Sequence, residues 1–299
     1  MRNWSGIVDT LNQQSAQHFE FKHARYVGGG CINETWILEG QQNSKPQSYF
    51  VKLNQPEQSQ MFAAEAEGLM ALAAPGVIAV PQPLTWGIEQ NQAYLVMSTF
   101  QTGSGSGQAI RQLGRQLAAL HRHQQADFGW HRENTIGATQ QINTPDSQWI
   151  RFFREQRLGF QLSLAARNGY TGKLQSTGER LLACVGDFFS GYQPRPSLLH
   201  GDLWSGNYAI TQTGVPILFD PAVYYGDREA DLAMTELFGG FPVDFYAAYQ
   251  ESWSLDPGYA TRKSLYNLYH ILNHLNLFGG AYAGQAQRSI EQLLSVCQA

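Results

Sequence analysis

Short stretches in which apolar and polar residues alternate dominate the first hundred positions of the chain. Turn residues separate these stretches, and the combination is typical of an antiparallel meander of β-strands. The stretches with this pattern are FEFKHARYV, CINETWILEG, SYFVKLN and residues 84–88 and 93–97. Between the third and fourth stretches, residues 60–74 carry apolar side chains at three- and four-residue spacing, which predicts a helix. Pro75 and Gly76 end that helix.

Beyond residue 107 the spacing of apolar side chains becomes helical. Ile110, Leu113 and Leu117 share one face of a helix predicted over residues 108–123. Further helices are predicted at 147–169, 172–190, 228–253 and 260–298, and residues 1–20 leave room for a short one. The Gly/Ser stretch QTGSGSG at 101–107 is the best candidate for a linker. The pattern predicts an α+β fold with a small antiparallel β-sheet lobe and its helix over residues 1–100. A larger, mainly helical lobe is predicted over residues 101–299.

The composition is that of a globular protein with few charged residues. Hydrophobic residues make up 43% of the 299 positions, charged residues only 15%, and the net charge is −4. Because there is no basic excess and no basic run, we expect no nucleic-acid binding. No apolar run approaches the ~18 residues of a membrane span, and the first ten residues lack the apolar region of a signal peptide. We therefore expect a cytoplasmic protein that binds neither nucleic acid nor membranes.

The three cysteines lie far apart, at positions 31, 184 and 297, and form no CxxC pair. This spacing predicts neither a disulfide framework nor a structural zinc site. Cys184 and Cys297 are expected to be inert. Cys31 follows a glycine cluster whose N–H groups could lower the pKa of the thiol, so an oxidation-sensitive thiol and a packed apolar side chain both stay open.

The densest chemical signal is the segment HGDLWSGN at 200–207, followed by the apolar run ILFD that ends at Asp220. Phosphoryl transfer to a hydroxyl needs a carboxylate that accepts the hydroxyl proton and oxygen ligands for Mg²⁺. Asp202 and Asn207 can supply the base and one ligand, and a hairpin would return Asp220 beside Asn207. A single carboxylate could equally cap a helix or end a strand, but the combined spacing favours a phosphotransferase.

The first hundred residues contain candidates for the other half of such a site. Lys52 lies on a predicted strand, and the helix at 60–74 offers Glu65 and Glu67. A strand lysine that contacts ATP phosphates and is held by a helical glutamate is the kinase arrangement. The glycine triplet 28–30 could cover phosphates with its N–H groups, or it could be an ordinary hairpin turn. The order of these elements along the chain is that of kinases.

Longer segments narrow the interpretation to one family. GGGCINETW, MFxxExxGL, LHGDLWSGN and FDPAVYYGDREADLAMTELFGGF resemble the fructosamine kinase (ketosamine-3-kinase) family, and ENTIGATQQIN and DSQWIRFFREQRL extend the match over nearly the whole chain. The resemblance implies a bilobal protein-kinase-like fold, shared with aminoglycoside and choline kinases. It also implies ATP-dependent phosphorylation of the 3-hydroxyl of ketosamines, in the repair of glycated amines or proteins, with ATP and Mg²⁺ as cofactors.

The same resemblance implies roles for individual residues in phosphoryl transfer. It makes Asp202 the proton acceptor. Asn207 and Asp220 become the Mg²⁺ ligands. Lys52 becomes the phosphate contact, and Glu65 its ion-pair partner.

Further residues are implied to bind the nucleotide. The glycine loop and the segment after the strand YLVM hold them, namely Gly28, Gly29, Gly30, Met97, Ser98 and Thr99. The backbone of the latter segment is expected to hydrogen-bond the adenine edge. Many relatives have an acidic residue where this chain has Ser98, so only the backbone contacts of that position carry over.

The implied substrate is a small ketosamine or a glycated protein. Its amine is largely protonated near neutral pH, so its pocket should combine an apolar face with negative potential. Trp204, two residues after the base, is expected to supply the apolar face. Asp220 and Glu229 are expected to supply the negative potential. The protein itself is expected to be a monomer or a weak homodimer.

Two other functions stay open at this point. An aminoglycoside- or choline-type phosphotransferase would share HGDxxxxN, but the chain lacks a strongly acidic C-terminal segment for polycationic drugs. A nucleotide-binding scaffold without catalysis should have lost Asp202, Lys52 or Asp220, and all three are present.

Overall fold

The computed structural model describes residues 2–15, 18–29 and 32–297 of the chain. The chain forms two compact units. One contains Met1–Gly105 and Ala209–Phe219, and the other contains Ser106–Tyr208 and Asp220–Ala299. No helix among the described residues has both the length and the apolar character that a bilayer span requires.

The first unit is a five-stranded antiparallel sheet with a helix packed on each face. Its elements are α1 (Ser5–Gln14), β1 (Phe19–Gly29), β2 (Glu34–Gln42), β3 (Lys45–Asn54), α2 (Ser59–Ala73), β4 (Pro83–Glu89) and β5 (Gln92–Ser98). The strands follow the order β1-β2-β3-β5-β4 in the sheet. Tyr94 and Val96 of β5 pack with α1. Ala93, Leu95 and Met97 pack with α2. Successive side chains of a strand point to opposite faces, so a strand covered on both sides has a continuous apolar sequence.

A short hairpin from later in the chain joins this first unit. Its strands are β9 (Tyr208–Ile210) and β10 (Pro216–Leu218). The N–H of Gly103 donates to the carbonyl of Ile210 at 2.8 Å, and the N–H of Gln212 donates to the carbonyl of Gln101 at 2.9 Å. Part of the predicted linker is therefore hydrogen-bonded as an extended segment. The sequence did not predict this, because the partner lies more than a hundred residues away.

The second unit is mainly helical. Its helices are α3 (Gly107–His121), α4 (Trp149–Phe152), α5 (Phe160–Arg167), α6 (Lys173–Cys184), α7 (Arg228–Leu237), α8 (Val243–Ser252), α9 (Tyr259–Phe278) and α10 (Ala283–Cys297). A π-helical stretch, Phe153–Gly159, joins α4 to α5. Two short antiparallel pairs complete the unit, β6 (Asn134–Ile136) with β7 (Thr139–Gln141), and β8 (Ser197–Leu199) with β11 (Tyr224–Gly226).

Two of the predicted helices are each interrupted by glycines. The helix predicted over 228–253 divides into α7 and α8 at Gly239 and Gly240, whose φ angles are 88° and 73°. The helix predicted over 260–298 divides into α9 and α10 at Gly279, with a φ of 87°. These are left-handed conformations that glycine adopts without a steric penalty and that end a helix.

A disulfide bonds Cys184 at the end of α6 to Cys297 at the end of α10. Their Cα atoms are 6.3 Å apart although the residues are 113 positions apart in sequence. The prediction that these two cysteines form no disulfide is therefore wrong. Sequence spacing gave no signal, because the packing of α10 against α6 decides which cysteines meet.

The disulfide should contribute measurably to stability. Closing a loop of about a hundred residues stabilises a fold by about 3–5 kcal/mol through the entropy of the unfolded chain. We expect dithiothreitol to lower the melting temperature of the parent protein, and Cys297→Ser to lower it similarly without reductant. Calorimetric scans with and without reductant measure both effects, with Cys31→Ser as the control that should respond like the parent. A parent melting temperature that is insensitive to reductant would contradict the bond.

Candidate active site

The segment 200–207 forms a tight loop after β8. Gly201 has a φ of 84°, and a Cβ there would collide with the carbonyl oxygen of Ala222. The N–H of Trp204 donates to the carbonyl of Asp202, and the N–H of Asn207 donates to the carbonyl of Trp204. The backbone of this catalytic loop is therefore folded back on itself, and it approaches the segment after Asp220 too closely for any residue but glycine at 201.

A buried carboxylate on α7 holds the start of this catalytic loop. Asp231 is 1% exposed. It accepts the N–H of His200 at 2.7 Å and the N–H of Gly201 at 2.8 Å, and its Oδ2 lies 3.2 Å from Nε2 of His121. Burial alone would raise the pKa of Asp231, but these hydrogen bonds and the adjacent imidazoles hold the pKa below its usual value. The ionised carboxylate is thus the form that fixes the loop.

The three residues with predicted roles in the loop chemistry lie together. Nδ2 of Asn207 donates to the Asp202 carbonyl at 2.8 Å and lies 3.4 Å from both Oδ2 of Asp202 and the carbonyl of Asp220. The side-chain amide of Asn207 therefore connects the base candidate to the strand end that carries the second carboxylate. The hairpin return predicted from the sequence is present in the structure.

Asp202 has the electrostatics of a general base. Burial raises the pKa of this carboxyl to about 7, and the charges of Asp220 and Asp231 act in the same direction, while the hydrogen bond from Asn207 acts against them. A base is most effective when its pKa lies near the working pH. Strong pKa perturbation by burial and like charge is also characteristic of functional sites.

The oxygen atoms that could act as metal ligands at this site fit Mg²⁺. Because Nδ2 of Asn207 faces protein carbonyls, Oδ1 is left as the acceptor, and it has no donor among the residues that the structure describes. Asp220 has a φ of 56°, a left-handed conformation that is uncommon for a residue with a side chain and that Asp tolerates better than most. An amide oxygen and a carboxylate are hard oxygen ligands of the type that Mg²⁺ prefers.

A network of buried amides supports the segment after Asp220. Nε2 of Gln141 donates to the carbonyl of Ala222 at 3.0 Å, and Nδ2 of Asn134 donates to the carbonyl of Val223 at 2.7 Å. Oδ1 of Asn134 in turn accepts from Gln141 at 2.8 Å. The hydroxyl of Tyr269 donates to Gln141 at 2.8 Å. In the sequence this stretch stood out only as part of a family motif, and its Asn/Gln richness was the available signal.

The π-helical stretch contributes a positively charged side chain, Arg157, to this network of buried amides. Arg157 is fully buried and donates to Oδ1 of Asn143 at 2.7 Å. Its guanidinium lies 4.6, 4.1 and 5.8 Å from the ring centres of Phe152, Tyr224 and Tyr269. Oxygen dipoles and aromatic faces, rather than a carboxylate among the described residues, stabilise this buried charge. π-helical turns are frequent at functional sites.

In the first unit, the predicted lysine and glutamate form an ion pair. Nζ of Lys52 lies 2.6 Å from Oε1 of Glu65, and the two side chains are 6% and 10% exposed. Lys52 pairs in register with Thr35 of β2 and Leu95 of β5, so it is fixed in the middle of the sheet. The pairing is a fact of the structure, whereas the contact of Lys52 with ATP stays a prediction.

The glycine loop is described only in part. Gly28 has a φ of 119°, and its carbonyl accepts the hydroxyl of Thr35. Gly28 and Gly29 pair with β2 as the last residues of β1. Gly30 and Cys31, and with them the predicted redox sensitivity, lie outside the described residues.

The predicted adenine-binding segment is partly engaged in the sheet. The N–H of Ser98 donates to the carbonyl of Gln82, and Oγ of Ser98 accepts the N–H of Gln82. Met97 is 3% exposed and belongs to the core below the strand. The hydroxyl of Thr99 bonds Ser48. The Ser98 N–H is therefore not available to adenine in this conformation, and any hinge contact must come from other backbone groups.

Two predicted substrate residues have different surroundings. Trp204 is 39% exposed, and its ring covers Gly206 so closely that a Cβ there would overlap it. Glu229 is completely buried and forms two hydrogen bonds with Arg262, at 2.7 and 3.1 Å. The prediction that Glu229 contacts substrate is therefore corrected. Its place in sequence near Asp220 was misleading, because α7 turns the side chain into the helical core.

Comparison with known proteins now decides the family. The sequence model of the fructosamine kinase family matches residues 3–296. The chain belongs to this family. It is 48% identical over 295 residues to a probable ketoamine kinase of Synechocystis sp., covering 98% of this chain and 97% of the relative. It is 40% identical to a chloroplastic protein-ribulosamine 3-kinase of Arabidopsis thaliana, covering 91% of this chain and 83% of the relative.

A crystal structure agrees with this membership. A Haemophilus somnus protein provisionally named fructosamine-3-kinase has a TM-score of 0.88 and 31% identity, with 97% of each chain covered. The predicted α+β, protein-kinase-like fold and the resemblance that implied it are confirmed. This fructosamine kinase family member is a phosphotransferase, and ATP use follows from the kinase family.

The raised pKa of Asp202 predicts how the stability of the kinase depends on pH. The folded carboxyl, with a pKa of about 7, binds a proton more tightly than the unfolded one, so stability falls as pH rises from about 4 to 7. Asp202→Asn removes this loss. We expect the variant to gain stability over the parent, and to gain on the order of 2 kcal/mol more at pH 8 than at pH 5. Urea unfolding without nucleotide or metal measures both values, and an equal gain at the two pH values would contradict the assignment.

The amide network predicts a second separable effect. Gln141→Leu leaves the carbonyl of Ala222 and the hydroxyl of Tyr269 without partners, which should lower the free energy of unfolding by about 2–3 kcal/mol. It should also lower kcat by loosening the segment that follows Asp220. The matched control is Gln140→Leu, whose side chain is exposed on the same hairpin. If both variants have the same kcat, the hairpin does not position the site.

Proposed function

We propose that this kinase transfers the γ-phosphoryl group of ATP to the 3-hydroxyl of ketosamines of the fructosamine and ribulosamine type. The single observation that carries the proposal is the arrangement of Asp202, Asn207 and Asp220, with a base candidate whose pKa is near 7 in hydrogen-bond contact with the metal-ligand candidate. The names of the relatives, ketoamine kinase and ribulosamine 3-kinase, support the acceptor class.

In this mechanism Asp202 acts on the acceptor. Its carboxylate accepts the proton of the substrate hydroxyl as the hydroxyl oxygen bonds to the γ-phosphorus and the bond to the bridging oxygen of ADP breaks. Asp231 keeps the loop in place through the N–H groups of His200 and Gly201. Burial, with the charges of Asp220 and Asp231, keeps the pKa of Asp202 high enough for proton transfer.

The candidate nucleotide contacts are the residues that the sequence predicted. Lys52, oriented by Glu65, is the candidate contact for the phosphates, and Gly28 to Gly30 are candidates to cover them. Oδ1 of Asn207 and the carboxylate of Asp220 would hold Mg²⁺. When bound, the ion neutralises charge that develops on the phosphates.

The remaining predictions stay proposals. Intact glycated proteins are candidate acceptors alongside small ketosamines. A cytoplasmic location fits the use of ATP, and a monomer or weak homodimer is still expected. Trp204, exposed beside the base, is the candidate apolar face for the sugar carbons.

An acceptor panel tests the proposal. ATP-dependent phosphorylation is measured with a ribulosamine, a fructosamine, free ribulose, an aminoglycoside and choline. We expect kcat/KM for the ketosamines to exceed that for free ribulose by at least tenfold, and the product to carry phosphate on O3. Equal kcat/KM for ribulosamine and ribulose would withdraw the ketosamine assignment, and turnover of choline or an aminoglycoside alone would favour the phosphotransferase alternative.

Two variants separate the roles within the site. Asp202→Asn should lower kcat by 10²–10⁴-fold while Mg²⁺–ATP still binds, because only proton acceptance is lost. Asp220→Ala should abolish Mg²⁺-dependent ATP binding, measured by titration calorimetry, in a protein that remains folded. Normal Mg²⁺–ATP binding in Asp220→Ala, or normal kcat in Asp202→Asn, would remove that residue from its role.

A further inference from the structure

Four aromatic side chains form a cluster at the end of α9, outside the groups assigned to phosphoryl transfer. The ring of His274 lies 4.6 Å from Phe238, 5.4 Å from Phe278 and 5.2 Å from Tyr282, measured between ring centres. Phe278 is 51% exposed. We call Phe238, His274, Phe278 and Tyr282 the aromatic cluster. The half-exposed ring of Phe278 makes the cluster accessible to a ligand.

The aromatic cluster is attached to the catalytic loop. The hydroxyl of Ser205, the residue after Trp204, donates to the carbonyl of Phe238 at 3.3 Å. Tyr269 lies on the same helix as His274. Burial raises the pKa of Tyr269, and the negative charge of the nearby Asp202 raises it further. One end of the cluster is thus fixed beside the exposed Trp204, and the helix that carries the other end passes the catalytic base.

The tautomer of His274 is determined by its hydrogen bond. Nδ1 lies 2.8 Å from the carbonyl oxygen of His270. A carbonyl only accepts, so Nδ1 must carry the proton. Burial lowers the pKa of His274 below its usual value, which favours the neutral ring. Nε2 is then a bare acceptor, and it has no partner among the described residues.

This combination of groups suits an ammonium ion. Aromatic faces attract a cation through their quadrupole. A neutral imidazole accepts an N–H without adding positive charge. The cluster also lies at the C-terminal end of α9, which ends at Phe278, and the carboxyl end of a helix carries partial negative charge. The three effects act in the same direction for a cation, and none of them favours an anionic ligand.

We infer that the aromatic cluster binds the protonated secondary amine of the acceptor, with Nε2 of His274 accepting its N–H and the ring face of Phe278 lying against the positive charge. This inference rests on the proposed function, because a ketosamine carries its nitrogen on C1, only two carbons from the C3 that bears the reacting hydroxyl. In this inference the acceptor lies with its O3 at Asp202, its sugar along Trp204 and its amine toward Ser205 and Phe238. Recognition of the amine distinguishes a ketosamine from its parent sugar.

The test compares two acceptors that differ in one atom. One is an N-alkyl ribulosamine, and the other is the ribulose ether in which oxygen replaces that nitrogen and no charge is present. Binding is measured by calorimetry without ATP, and kcat/KM is measured with ATP. We expect His274→Phe, which keeps a ring but removes the acceptor, and Phe278→Ala each to weaken binding of the amine about tenfold. Binding of the ether should change less than twofold.

The control is Val296→Ala, an exposed apolar side chain on α10, which should change neither acceptor. If the two cluster variants weaken amine and ether equally, or weaken neither, the inference is overturned while the ketosamine kinase assignment stands. If the parent enzyme phosphorylates neither the ribulosamine nor a fructosamine, the proposed function fails and the inference fails with it. Phe278→Ala changes a half-exposed side chain, so its result does not depend on the folding of the His274 variant.

Discussion

The buried carboxylate of Asp231 is the interaction on which the site depends. A carboxylate that is 1% exposed is stable only where strong donors surround it. Here the donors are two consecutive N–H groups of the catalytic loop and the imidazole of His121. Because the buried charge needs these hydrogen-bond donors, it holds the N–H groups of the loop in place. Burial is the main cause that raises the pKa of Asp202, and the charges of Asp220 and Asp231 add to it, so the residue that positions the loop also contributes to the basicity of the candidate base.

The second support of the site comes from neutral groups. The amides of Gln141 and Asn134 hold the carbonyls of Ala222 and Val223, directly after Asp220. These two amides fix the backbone through hydrogen bonds to its carbonyls rather than through a net charge of their own. Asp220 can then remain in a left-handed conformation that an isolated chain would leave. Asp231 thus supports the loop that carries Asp202, whereas the amides support the segment that follows Asp220.

Chemistry that is contiguous in sequence could be predicted, and contacts made by packing could not. HGDxxxxN, Lys52 and Glu65 were found because their residue types and order belong to one reaction, and α2 and β3 are elements whose pattern is regular. Gln141 and Arg157 gave no comparable signal, because an amide or a guanidinium acquires its role only from its surroundings. Glu229 was misassigned for the same reason, since sequence proximity to Asp220 does not show which way a helix turns.

Helix α9 contacts several different parts of the molecule, each through a different side chain. Arg262 binds Glu229 in the core, Tyr269 binds the amide network, and His274 belongs to the aromatic cluster. Each residue added to a helix rotates the remainder of that helix by about 100°. Inserting or deleting a single residue between these positions would therefore turn one set of contacts away from its partners while leaving the others in place. In evolutionary terms, this helix can change its residues one at a time, but its length between Arg262 and His274 cannot drift.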